Sequence, residues 1–88
     1  MYIIVLYNKI LNKGKYFFEH LIDKKDIKCY YTDKRIIETE NHDIIQLLKA
    51  EPCNMRGRQC NLIYVDDSLS IDFIQNEVMG RYEEMRFF

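Results

Sequence analysis

The run Leu62-Ile63-Tyr64-Val65, followed at once by Asp66 and Asp67, constrains this chain more than any other stretch. It is short, apolar, rich in β-branched and aromatic residues, and lacks polar alternation. That pattern predicts a strand covered on both faces. The preceding segment, Met55-Arg56-Gly57-Arg58-Gln59-Cys60-Asn61, reads as a polar turn with Gly57 at its bend. Asp66 and Asp67 then fall at the carboxyl edge of the strand, where open α/β sheets place their ligands. Tyr2-Ile3-Ile4-Val5-Leu6-Tyr7 is a second uninterrupted apolar run and predicts another central strand.

The remaining elements are fitted around these two. Asn8 to Gly14 reads as a loop. From Lys15 to Lys25, the spacing of Phe17, Phe18, Leu21 and Ile22 predicts one face of a helix, and Lys24 and Lys25 suit its C-terminal end. Ile27–Thr32 and Arg35–Thr39 predict a hairpin turning at Asp33-Lys34. Asp43 is placed to cap a short helix over Ile44–Lys49, with Pro52 as its stop. Ser70 is placed to cap a last helix. Its stripe would be Ile71, Ile74, Val78, Tyr82 and Met85, and Gly80 would lie unfavourably inside it. The order βαββαβα describes one small α/β domain over 1–88. Two architectures fit: a P-loop-like parallel core or a ferredoxin-like α+β sandwich.

Charge and cysteine content exclude several classes. Lys+Arg of 13 against Asp+Glu of 14 provides no strong non-specific pull on nucleic acid or anionic lipid. Cys29, Cys53 and Cys60 form no metal-binding spacing, and their odd number points to a reduced, cytoplasmic setting. The Tyr2–Leu6 run is too short to span a membrane. His20 and His42 have no nearby ligand partners, and no Ser-His-Asp or Cys-His arrangement can be assembled from spacing.

The 55–67 segment resembles the Walker B region of phage terminase large subunits and related helicase-like ATPases, which show an Arg-Gly loop, an apolar strand, then Asp and an acidic partner. The resemblance implies Mg²⁺ held by Asp66, with Asp67 where those families usually carry Glu. It also implies a Walker A loop after the first strand. Lys9-Ile10-Leu11-Asn12-Lys13-Gly14-Lys15-Tyr16 stands there: it matches at Gly14 and Lys15, and departs at Lys9 and Tyr16. On this reading Gly14, Lys15, Arg56 and Arg58 bind nucleotide or phosphate, Asp66 and Asp67 bind metal, and hydrolysis is weak or absent. Lys9, Lys13, Lys15, Arg56 and Arg58 would then form a basic rim around Asp66. Tyr64-Val65-Asp66-Asp67 also resembles the Y-x-D-D of reverse transcriptases, whose paired Asp residues bind metals. Met1 to Tyr7 is similar to the opening strand of small CRISPR adaptation nucleases, with Asn8 where their acidic residue stands.

Two functions from different classes follow. The first is a non-enzymatic binding protein, with no cofactor, acting on a host protein or nucleoprotein. The Ile-, Lys-, Asn- and Tyr-rich composition points to a phage or viral source, acting in the host cytoplasm, with a defence system as one such target. The second is a P-loop-like remnant that binds nucleotide or phosphate with Mg²⁺ through Lys15, Arg56 and Asp66. Independently, Tyr82, Met85, Phe87 and Phe88 are expected to overhang the core and form an interface, with a homodimer favoured. Repulsion between Asp66 and Asp67 implies that Asp66→Asn is neutral or stabilising if no metal binds there.

Overall fold

The computed structural model describes residues 1–55 and 57–88. Strand β1 (Tyr2–Tyr7) lies inside a six-stranded mixed sheet. It pairs in parallel with β4 (Ile44–Lys49) on one side and β5 (Leu62–Val65) on the other. Beyond β4 come the antiparallel strands β3 (Ile36–Thr39) and β2 (Ile27–Tyr31). Beyond β5 comes β6 (Glu84–Phe87), parallel to it. The sheet order is β2-β3-β4-β1-β5-β6.

The two unalternating runs are covered on both faces, as their composition demands. Ile3, Val5 and Tyr7 of β1 pack with Leu62 of β5 and Phe18 of helix α1 (Leu11–His20) on one face. On the other, Ile4, Leu6, Ile63 and Val65 pack with Met55 of the short helix α2 (Pro52–Met55). Ile74 and Val78 of the last helical segment complete that layer. Ile4, Val5, Leu6, Ile63 and Val65 are fully buried. Each such side chain is worth about 1.5–3 kcal/mol when withdrawn from water, so this pair of strands is the main apolar store of the domain.

Several elements differ from the sequence reading. Ile44–Lys49 is a strand, not a helix. Six residues are too few to sustain a helix in isolation, whereas Ile44-Ile45 and Leu47-Leu48 complete a ladder that runs from Tyr2↔Ile44 to Tyr7↔Lys49. Asp43, expected as that helix's cap, instead pairs with the N-terminal ammonium at 3.1 Å. Helix α1 begins at Leu11, so Gly14 lies inside it rather than in the preceding loop. Pro52, expected as a helix stop, instead opens a helix: residues 52–55 form α2, with Pro52 at the first helical position that its fixed φ favours.

The C-terminal helix ends early. Ser70 caps it as expected, accepting from the Phe73 N–H at 3.2 Å. The segment α3 (Ile71–Phe73) continues as a π-helical stretch over Ile74–Val78 and stops. Gly80 has φ +82°, a left-handed conformation that ends helices without a Cβ penalty. The chain then turns back into β6. The stripe of Ile71 to Met85 therefore divides: Ile74 and Val78 are helical and buried, while Met85 lies in a strand.

Candidate functional site

Strands β1 and β5 are parallel neighbours whose continuations leave toward opposite faces. Helix α1 follows β1 over the Phe18 face, and α3 follows β5 over the Ile74 face. Such a divergence opens a crevice at the carboxyl ends of the strands. A cleft of ≈ 450 Å³ occupies this point, lined by Asn8, Lys9, Ile10, Lys13, Asp66 and Ser68.

Asp66 forms its floor and is 2% exposed. Its Oδ1 accepts from the Ser68 N–H at 3.0 Å, the Ser68 hydroxyl at 2.8 Å and the Lys13 ammonium at 3.2 Å. Its Oδ2 accepts from the Asn8 N–H at 3.3 Å. Burial by itself raises the carboxyl's pKa. The donors from Ser68, Lys13 and Asn8 outweigh it and hold the group below the ordinary carboxylate value. Asn8 adds a second tie, its side-chain amide donating to the Ser68 carbonyl and hydroxyl oxygens.

Lys13 connects three segments. Its Nζ donates to Asp67 Oδ1 at 2.6 Å, to Asp66, and to the Phe88 carbonyl at 3.0 Å. It also stands 5.4 Å from the centroid of the Phe88 ring. The Asp67 carboxylate and then Asp66 raise its pKa against the opposing effect of desolvation, so it remains charged. The expected repulsion between Asp66 and Asp67 is therefore answered by an ammonium held by both. The first turn of α1 and the carboxyl ends of β5 and β6 meet at one cation.

The predicted site residues fall in different places. Gly14 packs against β1: a methyl group there would overlap Tyr7 Cβ and lie 3.1 Å from Tyr7 Cγ. Its role is close helix–strand approach. Lys15 is on the outer side of α1 and pairs with Glu19 at 3.9 Å. Arg58 donates to Gln46 Oε1 at 3.2 Å and to the Tyr2 hydroxyl, at the amino end of β1. It is thus at the opposite edge of the sheet from Asp66, and the expected basic rim does not include it. Arg56 lies outside the described residues. Phe88 stacks on Phe17 with ring centroids 4.4 Å apart, and so folds back onto α1. Tyr82 and Met85 are half-buried against the Ile74 layer, whereas Phe87 is 55% exposed.

The Asp66–Asp67 pair as it stands does not fit Mg²⁺, which needs open oxygens in near-octahedral array. Three donors crowd Asp66 Oδ1, and an ammonium fills the space shared with Asp67. Sequence reading missed Asn8 and Ser68 as members of this cluster. A detectable signal was present for Ser68: the run Asp66-Asp67-Ser68 at a strand exit has the composition of a turn in which Asp accepts from the residue two further on.

Fold and site together define a small α/β domain with a mixed sheet and a switch-point crevice closed by its own side chains. Comparison with protein-family models, with curated proteins and with solved structures finds no match to this chain. Among the described residues, no helix is long and apolar enough to cross a membrane.

Proposed function

We propose that this chain is a non-enzymatic binding protein that acts by contact with another macromolecule. The observation that carries the reading lies at the carboxyl edge of the sheet. Asn8, Lys13, Asp66, Asp67 and Ser68 are committed to one another there, while the apolar side chains that leave the same edge are open. Ile10, just after β1, is 70% exposed, and Ile71, just after β5, is 69% exposed. Apolar residues beside a self-satisfied polar floor suit a protein partner, since burial of each removes apolar area from water without stranding a charge. The composition that points to a viral source makes a host protein or nucleoprotein the target class, a defence component among them. The test is capture from host-cell lysate on immobilised protein, run beside an Ile10→Asp/Ile71→Asp variant that keeps the wild-type melting temperature. A partner retained by the wild type and lost by the variant supports the reading; equal recovery on both contradicts it.

A second reading is favoured by the crevice itself. Its position, with Lys9 and Lys13 on the rim, is where parallel sheets hold nucleotides and phosphates. On this reading the chain is a P-loop-like remnant, and Lys13 takes the part that the sequence assigned to Lys15. Mg²⁺ would enter only by displacing the Lys13 ammonium from Asp66 and Asp67. The reading requires a nucleotide or phosphate, with or without Mg²⁺, to stabilise the fold.

A further inference from the structure

The two edges of the sheet are built differently. β2 carries an irregularity between Ile27 and Cys29, with the exposed Lys28 in it. A bulge and an edge lysine are both devices that discourage a further strand. β6 pairs with β5 in an unbroken register and carries no bulge or lysine; its four residues include the exposed charges Glu84 and Arg86, so a further strand can add only where both charges are matched.

The hydrogen bonds of β6 show which of its backbone groups remain open. The Phe88 N–H donates to the Val65 carbonyl at 3.0 Å, and the Phe88 carbonyl accepts from the Asp67 N–H at 3.0 Å. Backbone groups of successive strand residues point alternately to the two sides. Arg86 and Glu84 therefore face β5 with Phe88, and the N–H and C=O of Met85 and Phe87 face outward at the sheet edge.

We infer that this edge pairs with the same edge of a second copy, antiparallel and centred on Met85, to make one continuous sheet across a twofold axis. Charge selects the occupant and the register. Outward-facing residues must oppose outward-facing residues, so a self-pairing strand can be centred only on single residues. Centred on Glu84 it places Glu84 against Glu84. Centred on Arg86 it places Arg86 against Arg86. Centred on Phe87 it sets Arg86 against Phe88. Centred on Met85, Glu84 of each copy opposes Arg86 of the other, twice over. These are the non-hydrogen-bonded positions, where side chains approach most closely and opposite charges stabilise. Within one chain the same two residues already pair, Arg86 donating to Glu84 Oε1 at 2.8 Å, so they exchange an internal partner for an equivalent one. On the opposite face Met85 meets Met85, and the exposed Phe87, opposite Glu83 of the other copy, lies diagonal to Met85, within reach of its side chain. The self-complementary patch satisfies the requirement of an isologous interface. The dimer would carry two copies of the carboxyl-edge surface, and so raise avidity for a target with repeated sites.

The test uses the full chain in sedimentation equilibrium over a wide concentration range. The wild type is expected to dimerise. Glu84→Arg and Arg86→Glu each turn both cross-strand pairs into like charges, and each should weaken the dimer by roughly tenfold or more. Mixing the two variants restores both attractive pairs, so the mixture should form heterodimers as tightly as the wild type self-associates. Phe87→Pro removes an N–H that faces away from β5, and should leave a folded monomer. A wild type that stays monomeric at every concentration overturns the inference and leaves the proposed target contact at Ile10 and Ile71 untouched. A dimer indifferent to both charge reversals overturns it equally.

Discussion

Replacing Asp66 by Asn probes whether the carboxylate holds the fold. The side chain is buried and accepts four hydrogen bonds, three on Oδ1 and one on Oδ2. An amide can keep its oxygen toward Ser68 and Lys13, but its NH₂ then points at the Asn8 N–H, donor against donor. A buried donor left without an acceptor costs about 1–3 kcal/mol. The bonds kept on the amide oxygen lose the carboxylate's charge, and bonds to an ionised group are roughly twice as strong as neutral ones. Relief of repulsion from Asp67 works the other way, but Asp67 is exposed and already neutralised by Lys13, so this gain is below about 1 kcal/mol. The sum is a loss of about 2–4 kcal/mol. For a chain whose whole stability is about 4–13 kcal/mol, that lowers the melting temperature by roughly 10–30 °C. Urea denaturation followed by circular dichroism measures it, with an unchanged slope showing that the unfolded state is not altered. An unchanged or raised midpoint refutes the reasoning and restores the expectation of two carboxylates in unrelieved repulsion.

Three further outcomes follow from the same geometry. Because the folded Asp66 carboxyl titrates below its ordinary value of 3.8, its contribution is complete above that value and is lost as the pH falls through the lower folded pKa. Denaturation midpoints measured from neutral to acid pH should fall there in the wild type and flatten in Asp66→Asn. Gly14→Ala gains about 1 kcal/mol of helix propensity but forces a methyl into Tyr7, an overpacking cost at the upper end of about 1–3 kcal/mol, so the net loss by denaturation is about 1–2 kcal/mol. A double-mutant cycle of Phe17→Ala and Phe88→Ala should return a coupling of about 0.5–1.5 kcal/mol for the stacked rings; additive losses would place Phe88 off α1.

The parts of the fold legible in the sequence were those where one pattern had one physical solution. Ile3–Leu6 and Leu62, Ile63 and Val65 are buried on both faces because their side chains are all apolar. The Ile27–Thr39 hairpin and the Ser70 cap rest on local chemistry and stand as read, save for a residue at each strand end. Ile44–Lys49 was not legible, because Asp43 and Pro52 supply the start and stop signals of a helix, while the pairing that makes the segment a strand comes only from the neighbouring β1. The periodicity predicts too long a last helix because its apolar stripe continues past Gly80. A stripe records which residues are buried, not whether one element buries them all. At the site, Asp66 was identified by its place at a strand end. Lys13 was read only as one member of a basic rim, and its bridging role depends on the α1 start at Leu11, four residues earlier than the pattern indicated. Gly14-Lys15 illustrates the cost of reading a dipeptide without its backbone: one residue is a packing contact and the other an exposed helix pair.

The measurement that bears most directly on the account is the melting temperature of the wild type with ATP, GTP and inorganic phosphate, each with and without Mg²⁺. If the crevice is closed by Lys13, Asn8 and Ser68 and the chain acts through macromolecular contact, every melt should superimpose on the ligand-free one. A ligand bound to the folded state at about 100 times its dissociation constant adds about 2.7 kcal/mol, which in a domain of this size raises the melting temperature by roughly 10–20 °C. A shift of that order with any of these ligands would contradict the account and establish the crevice as a nucleotide or phosphate site.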